Sequence, residues 1–224
     1  MRILPIEPLN LPNPELYSGY SRTLIECISR ADKGRSKLDS VSNSVKGLCS
    51  YKNRCLLNNL VSRENVRYLE IGTYEGASLV SALYKNKPEY HAAIDSFSGF
   101  EWMVEKFSKN CETALGYHPN FFNVDCFSVD PIKLGIQNIN VYYYDGNHSR
   151  EDTRKSLPYY YESLANEFIY IVDDFNRAEV ATGVFESIRD TNVKIDFVKV
   201  LPAQGDGDLE NWWSGVFVAS CKKS

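Results

Sequence analysis

From Val66 onward, apolar positions recur in short runs rich in Val, Ile, Tyr and Phe, separated by longer stretches whose apolar residues fall at helical spacing. Runs of this length bounded by turn residues predict strands, and their alternation with helix-length segments predicts a parallel α/β sheet. Seven runs stand out: VRYLEIG, YHAAIDSF, FFNVD, INVYYYDG, FIYIVDD, IDFVKVLP and WSGVFVASC. Helices are expected in GASLVSALYKN, MVEKFSKNCETAL, SREDTRKSLPYYYESLA and RAEVATGVFESIRD, the first of them opening after a glycine-rich turn. Ahead of the sheet, YSRTLIECISRAD has helical spacing, GRSKLDSVSNS is a polar connection, and VKGLCSYKNRCLLNNLVSR predicts a second helix. Residues 1–60 read as an N-terminal helical cap and residues 61–224 as the sheet domain.

Two strands end in a way that core packing does not explain. INVYYYDGNHSRED changes character at Asp145, and EFIYIVDDFNR stops on Asp173 and Asp174. Ligands of such sheets gather at the carboxyl ends of the strands, so adjacent strands would bring three acids to one edge. Close carboxylates raise one another's pKa, and a hard divalent cation held by oxygen ligands relieves that conflict. Asp145, Asp173 and Asp174 are therefore candidate ligands for Mg2+. His148, three residues after Asp145, is placed to act as general base on a hydroxyl whose proton the metal makes easier to remove, with Asp145 beside it in the chemistry. Taken alone, DGNH is a turn before a helix started by Ser149, and VDD is a strand end with a helix cap; their pairing favours a site. Asn176 either adds an oxygen contact or lies in a solvated loop. His91 and His118 read as structural or surface residues. Trp212 and Trp213 suit either the core or a wall against a sugar ring.

A second half-site precedes these. YLEIGTYEGASL places Glu70 at a strand end before Gly72 and Gly76, a turn that opens a helix. It is neither the G-x-G-x-x-G of dinucleotide binders nor a phosphate loop with Lys-Ser/Thr. An acid there would repel pyrophosphate and welcome an ammonium, such as that of S-adenosylmethionine. Asp95 ends the next strand with a spacing suited to ribose hydroxyls, and Asp125 with Cys126 ends the third, where adenine would lie.

Together these stretches resemble the class I S-adenosylmethionine-dependent methyltransferases. Through DSFSGF, YDGNHSREDT, IVDDFNR and WWSGVFVA, over roughly residues 66–222, the chain is similar more particularly to the macrocin O-methyltransferase group. The resemblance implies a Rossmann-like, seven-stranded methyltransferase sheet with its last strand antiparallel. It also implies Mg2+ at matching acids, a basic residue after the first acid, a sugar or glycoside hydroxyl as acceptor, and a homodimer. Where the similar catechol methyltransferases carry Asp-Asn, this chain has Asp-Asp. Two alternatives stay open: O-methylation of small catechol-like phenolics, and a non-catalytic cofactor-binding partner in glycan assembly. Metal-dependent hydrolysis leaves Glu70 and Asp95 without a role.

Charge and composition narrow the classes further. The net charge of −4 divides into +4 over residues 1–60 and −8 over the remainder, which either favours an anionic substrate or reflects solvated helix faces. No basic and aromatic patch of the nucleic-acid-binding kind is present. No apolar stretch reaches the ~18 residues of a membrane span, and the proline-punctuated MRILPIEPLNLPNPELYS lacks a signal core, so a cytoplasmic location is expected. Six cysteines without C-x-x-C spacing point to reduced thiols.

Overall fold

The structure is a computed structural model and describes residues 9–224. Residues 1–8, the start of the expected cap, lie outside the described residues.

All seven expected strands form. They are β1 (Arg67–Ile71), β2 (Tyr90–Asp95), β3 (Phe121–Asn123), β4 (Ile139–Tyr144), β5 (Leu164–Val172), β6 (Lys194–Leu201) and β7 (Val216–Lys222). Their order in the sheet is β3-β2-β1-β4-β5-β7-β6. β1 to β5 run parallel, and β7 is antiparallel to both β5 and β6, as the resemblance implied. The chain works outward from β1 to β3, then crosses back to β4. That reversal opens a crevice at the carboxyl ends of β1 and β4, the place where doubly wound sheets bind ligands.

Strand periodicity assigns the faces. Tyr68, Val141, Tyr143, Ile169 and Ile171 point to one side and join a core with α1 (Gly19–Asp32), α3 (Tyr51–Val61), α4 (Ala77–Leu83) and α5 (Met103–Leu115). Leu69, Ile71, Tyr142, Tyr144 and Tyr170 point to the other and pack with α6 (Arg150–Tyr160) and α7 (Ala178–Thr191). β4 is buried on both faces, which is why it reads as an apolar run broken only by Asn140. Its tyrosines can be buried because each hydroxyl finds an acceptor. Tyr142 donates to the Ser156 carbonyl and Tyr144 to the Asn147 carbonyl, both at 3.0 Å, whereas Tyr143 donates to a carboxylate, described below.

The front helices share the sheet's core. Leu24, Ile25 and Ile28 of α1 and Leu56, Leu57 and Leu60 of α3 are almost fully buried, each contributing on the order of 1.5–3 kcal/mol. Two boundaries differ from the sequence expectation. The helix predicted from Val45 starts only at Tyr51, because the Ser50 hydroxyl accepts from the Asn53 amide at 3.2 Å and caps it there. The polar connection contains a short helix, α2 (Ser40–Ser44), closed by a capping box between Asp39 and Ser42. Among the described residues no helix is long and apolar enough to cross a membrane.

Candidate active site

At the carboxyl edge of β1, β2, β4 and β5 lies a cavity of about 790 Å³. Its floor is the turn from β1 into α4. Gly72 there has φ +84°, and a Cβ on it would stand 2.0 Å from the carbonyl oxygen of Asp145, so only glycine lets the two strand ends meet. Asp95, on the cavity wall, fastens the turn: one carboxylate oxygen accepts from the amides of Thr73 at 2.7 Å and Tyr74 at 3.0 Å, and the other accepts from Phe97 at 2.9 Å. Asp125 and Cys126 line the same wall further along, beside Phe127, whose ring packs edge-on against Tyr159.

Two residues expected at the cofactor lie elsewhere. Gly76 turns its bare face to α5, where a Cβ would meet the Phe107 ring at 3.1 Å, so it serves helix packing. Glu70 is fully buried beneath the turn, accepting hydrogen bonds at 2.5 Å from both the Tyr68 hydroxyl and the Ser78 hydroxyl. Strand parity is the reason: position 70 shares the inner face with Tyr68, and Ser78 stands between it and the cavity. Burial pushes its carboxyl up to about 8, so it does not meet a ligand's ammonium as an exposed anion.

The chemical end is built where β4 and β5 stop. His148 sits between two carboxylates, its Nδ1 2.9 Å from Asp174 and its Nε2 3.4 Å from Asp145. Burial alone would lower the imidazole's pKa. The hydrogen bonds and charges of the two aspartates outweigh it and carry the ring to about 10, so it is a cation at neutral pH while these contacts hold. Arg177 adds a second cation, with Nε 3.3 Å from Asp174 and Nη2 3.6 Å from Asp206. Burial would raise the Asp174 carboxyl, but the histidine and arginine hold it below the usual range.

Asp173 behaves differently. It is 1% exposed and accepts from the Tyr143 hydroxyl at 2.7 Å, from the Asp174 amide at 2.9 Å and from the Asn53 side chain at 3.5 Å. Burial and the neighbouring Asp145 raise its pKa well above the ordinary value. Of the three expected metal ligands, Asp145 and Asp174 therefore face the cavity and Asp173 is turned inward. Asp173 continues the face of Ile169 and Ile171, as Asp145 continues that of Tyr143, and the hydrogen bonds from Tyr143 and Asn53 keep it inside, whereas Asp174 lines the cavity with φ +55°. Among the described residues no group of three His, Cys, Asp or Glu side chains converges on a metal position. As placed, Asp145 and Asp174 form one oxygen pair bridged by the imidazole of His148, and Asp173 is held by Tyr143.

Backbone strain marks the same place. Left-handed φ at residues other than Gly or Asn occurs at Tyr74, Lys85, Phe97, Asp174 and Trp213, and all but Lys85 line the cavity. Each costs on the order of 1–3 kcal/mol, and such strain collects at functional sites. Trp212 is buried in the core, 2% exposed, while Trp213 forms cavity wall. Asn176 is neither free nor at the acids: it donates to the Ala203 carbonyl at 3.0 Å and clamps the β6–β7 loop. His91 accepts from the Asn120 amide at 3.1 Å and His118 lies by Ser108, both outside the cavity lining.

Several contributors were not singled out from the sequence. Tyr143, Arg177 and the wall formed by Gly47, Leu48 and Cys49 belong to the site. Tyr143 had a readable signal, since a tyrosine two residues before a strand-end acid shares its face, and Tyr68 with Glu70 repeats the arrangement.

No family model and no curated protein matches this chain. Solved structures do. An O-methyltransferase from Bacillus cereus in complex with SAH is similar over 90% of both chains, at 13% identity and a TM-score of 0.59. The cofactor-bound protein Rv0187 from MTB matches over 90% of both chains at 12% identity, with a TM-score of 0.59. A ribosomal protein L11 methylase from Lactobacillus delbrueckii subsp. bulgaricus covers 78% of this chain and 79% of its own at 13% identity, with a TM-score of 0.54. At such identities the likeness establishes the fold, that of the methyltransferases, and leaves function to the site.

Proposed function

We propose that this protein transfers a methyl group from S-adenosylmethionine to a hydroxyl of a sugar or glycoside, with Mg2+ at the acceptor end. One observation carries the reading: a single cavity joins the Gly72 turn, Asp95 and Asp125 to Asp145, His148 and Asp174. Bound donor and bound acceptor would therefore meet without crossing a wall. The cavity is also large enough for a nucleoside and a small acceptor together.

When bound, S-adenosylmethionine supplies a sulfonium methyl that the acceptor oxygen takes by in-line displacement, with the sulfur leaving as a neutral thioether. When bound, Mg2+ orients the acceptor oxygen and makes its proton easier to lose. The chain does the rest. Asp95 and Asp125 orient the nucleoside through its hydroxyls and base edge, and the fixed turn at Gly72 sets the depth at which the donor sits. Asp145 and Asp174 would hold the metal, with Asp173 tuning them from behind through Tyr143. His148 can take a hydroxyl proton only at a ring nitrogen free of carboxylate, so the base role requires that it give up at least one of its two aspartate contacts. Trp213 and Arg177 stand at the acceptor end, where an aromatic face and a hydrogen-bonding fork suit a hydroxylated ring.

The test is direct. Purified protein is incubated with S-adenosylmethionine, Mg2+ and matched panels of glycosides and catechols, and products one methyl heavier are sought by mass spectrometry. Glycoside products that disappear with chelator, and with Asp145→Asn or Asp174→Asn variants that still bind SAH, are expected. Products from catechols alone would reassign the acceptor. Cofactor binding with no product from either panel would make the protein a non-catalytic partner.

A further inference from the structure

The cavity opens through a rim that methyl transfer alone leaves unexplained. Three lining side chains, Leu48, Tyr74 and Phe100, are exposed at the same time, Leu48 by 59% and Phe100 by 53%. Trp102, 64% exposed, lies two residues beyond Phe100, and the exposed Tyr51 three beyond Leu48. Large apolar side chains left in water and collected in one place mark a contact surface.

Cations flank the rim. Residues 30–52 hold six Lys or Arg against two Asp, a net of +4 in a chain whose net charge is −4. Both acids are neutralised, Asp32 by Lys52 and Asp39 by Lys85, each at 2.8 Å. Arg30, Lys33, Arg35 and Lys46 are exposed and, among the described residues, make no ion pair. Contacts fix where they stand. The Asp32–Lys52 bridge sets the end of α1 against the start of α3, which follows directly on Leu48 and Cys49 in the cavity wall. The Arg30 carbonyl accepts from the amides of Lys33 and Arg35, curling the three bases into one turn, and a Cβ on Gly34 in that turn would meet the Tyr51 ring at 3.4 Å. Lys46 adjoins Gly47 of the wall. On the opposite flank Lys106 pairs with Glu75 at 2.7 Å, and the exposed acids Glu101 and Glu105 lie near Trp102.

We infer that this rim docks on the surface of an anionic bilayer, with the cavity opening onto the headgroup layer. The inference deepens the methyl-transfer reading and rests on it for its purpose, since the acceptor is then met at the membrane. The side-chain chemistry selects this partner. Aromatic rings settle at the boundary between headgroups and acyl chains, and lysines and arginines beside them attract anionic headgroups. Leu48 suits acyl chains better than nucleic acid, whose bases stack on rings and gain little from an aliphatic side chain.

Cosedimentation of the full chain with vesicles is the test. Wild type should bind vesicles containing phosphatidylglycerol, ignore those of phosphatidylcholine alone, and be released as salt rises toward about 1 M. The double variant Lys33→Glu, Arg35→Glu should bind at least about 10-fold more weakly. Lys87→Glu with Lys194→Glu makes the same change of charge at the amino-terminal edge of the sheet, away from the rim, and should bind as wild type does. Brominated acyl chains should quench tryptophan emission in wild type and not in Trp102→Phe, which decides the matter if the first double variant does not fold. A wild type that ignores phosphatidylglycerol, equal losses in the two double variants, or displacement of the vesicles by poly-uridine overturns the inference. SAH calorimetry separates it from the donor reading: vesicle binding without SAH binding overturns methyl transfer and leaves the docking, and SAH binding without vesicle binding does the reverse.

Discussion

Replacing Gly72 by alanine separates two energies at the centre of the site. The residue holds φ +84°, and its new Cβ would stand 2.0 Å from the carbonyl oxygen and 2.6 Å from the carbonyl carbon of Asp145. Left-handed backbone costs a side-chain-bearing residue about 1–2 kcal/mol. The overlap is with backbone, which cannot rotate aside, and forced repacking of this kind adds about 1–3 kcal/mol. A total of roughly 2–5 kcal/mol corresponds to a melting temperature lower by about 4–20 °C for a domain of this size. Gly116 supplies the control, with φ +77° and no atom within 4 Å of the point where a Cβ would stand. Gly116→Ala should therefore lose only the backbone share, about 1–2 kcal/mol. Urea unfolding and thermal melts measure both variants, and SAH calorimetry on each reports whether moving the Asp145 strand end also spoils the donor site. Equal losses of stability in the two variants would show that the close approach of β1 to β4 carries no energy, and the steric role assigned to Gly72 would fail.

Three further outcomes are expected. His148→Ala should lower the methylation rate by about 10²-fold or more and flatten its pH dependence; an unchanged pH–rate profile would remove the residue from proton transfer. Tyr143→Phe removes the hydroxyl that occupies Asp173, so Mg2+ should bind more tightly by calorimetry while stability falls by about 1–3 kcal/mol; unaltered metal affinity would mean that Asp173 never competes for the ion. Glu70→Gln tests the buried carboxyl, whose folded pKa near 8 lies above its ordinary value of 4.5. A raised pKa means that the folded state holds the proton more tightly, so this contribution is complete below about pH 4.5 and is lost as pH rises toward 8. Stability of the variant relative to wild type should thus improve steadily between pH 5 and 8, and a constant difference across that window would contradict the assignment.

The fold was largely written in local pattern. Short apolar runs and helical spacing located seven strands and the helices between them, because burial on a sheet or helix face depends on residues a few positions apart. Helix starts were less legible: Ser50 and the capping box at Asp39 moved boundaries by competing with apolar spacing. The strand-end acids were visible as breaks in the apolar pattern, and the sheet order then brought Asp95, Asp145 and Asp174 to one cavity.

What each acid faces was decided only in three dimensions. Glu70 and Asp173 are held in the interior by Tyr68 and Tyr143, although Asp145 shares the parity of Asp173 and lines the cavity, while Asp174 reaches it through a left-handed backbone that no local rule foretells. His148 was legible as a histidine near an acid, but Asp174, just past the end of β5, joins Asp145 in holding its proton. Arg54 looked like an ordinary helix residue, and its buried guanidinium finds acceptors only because Ser42, Val45 and Ser81 arrive from separate segments. Sequence sets which residues end the strands, since that is a local matter of pattern. Long-range packing sets which of those ends are buried, paired or free, because solvation and charge depend on neighbours that are distant along the chain.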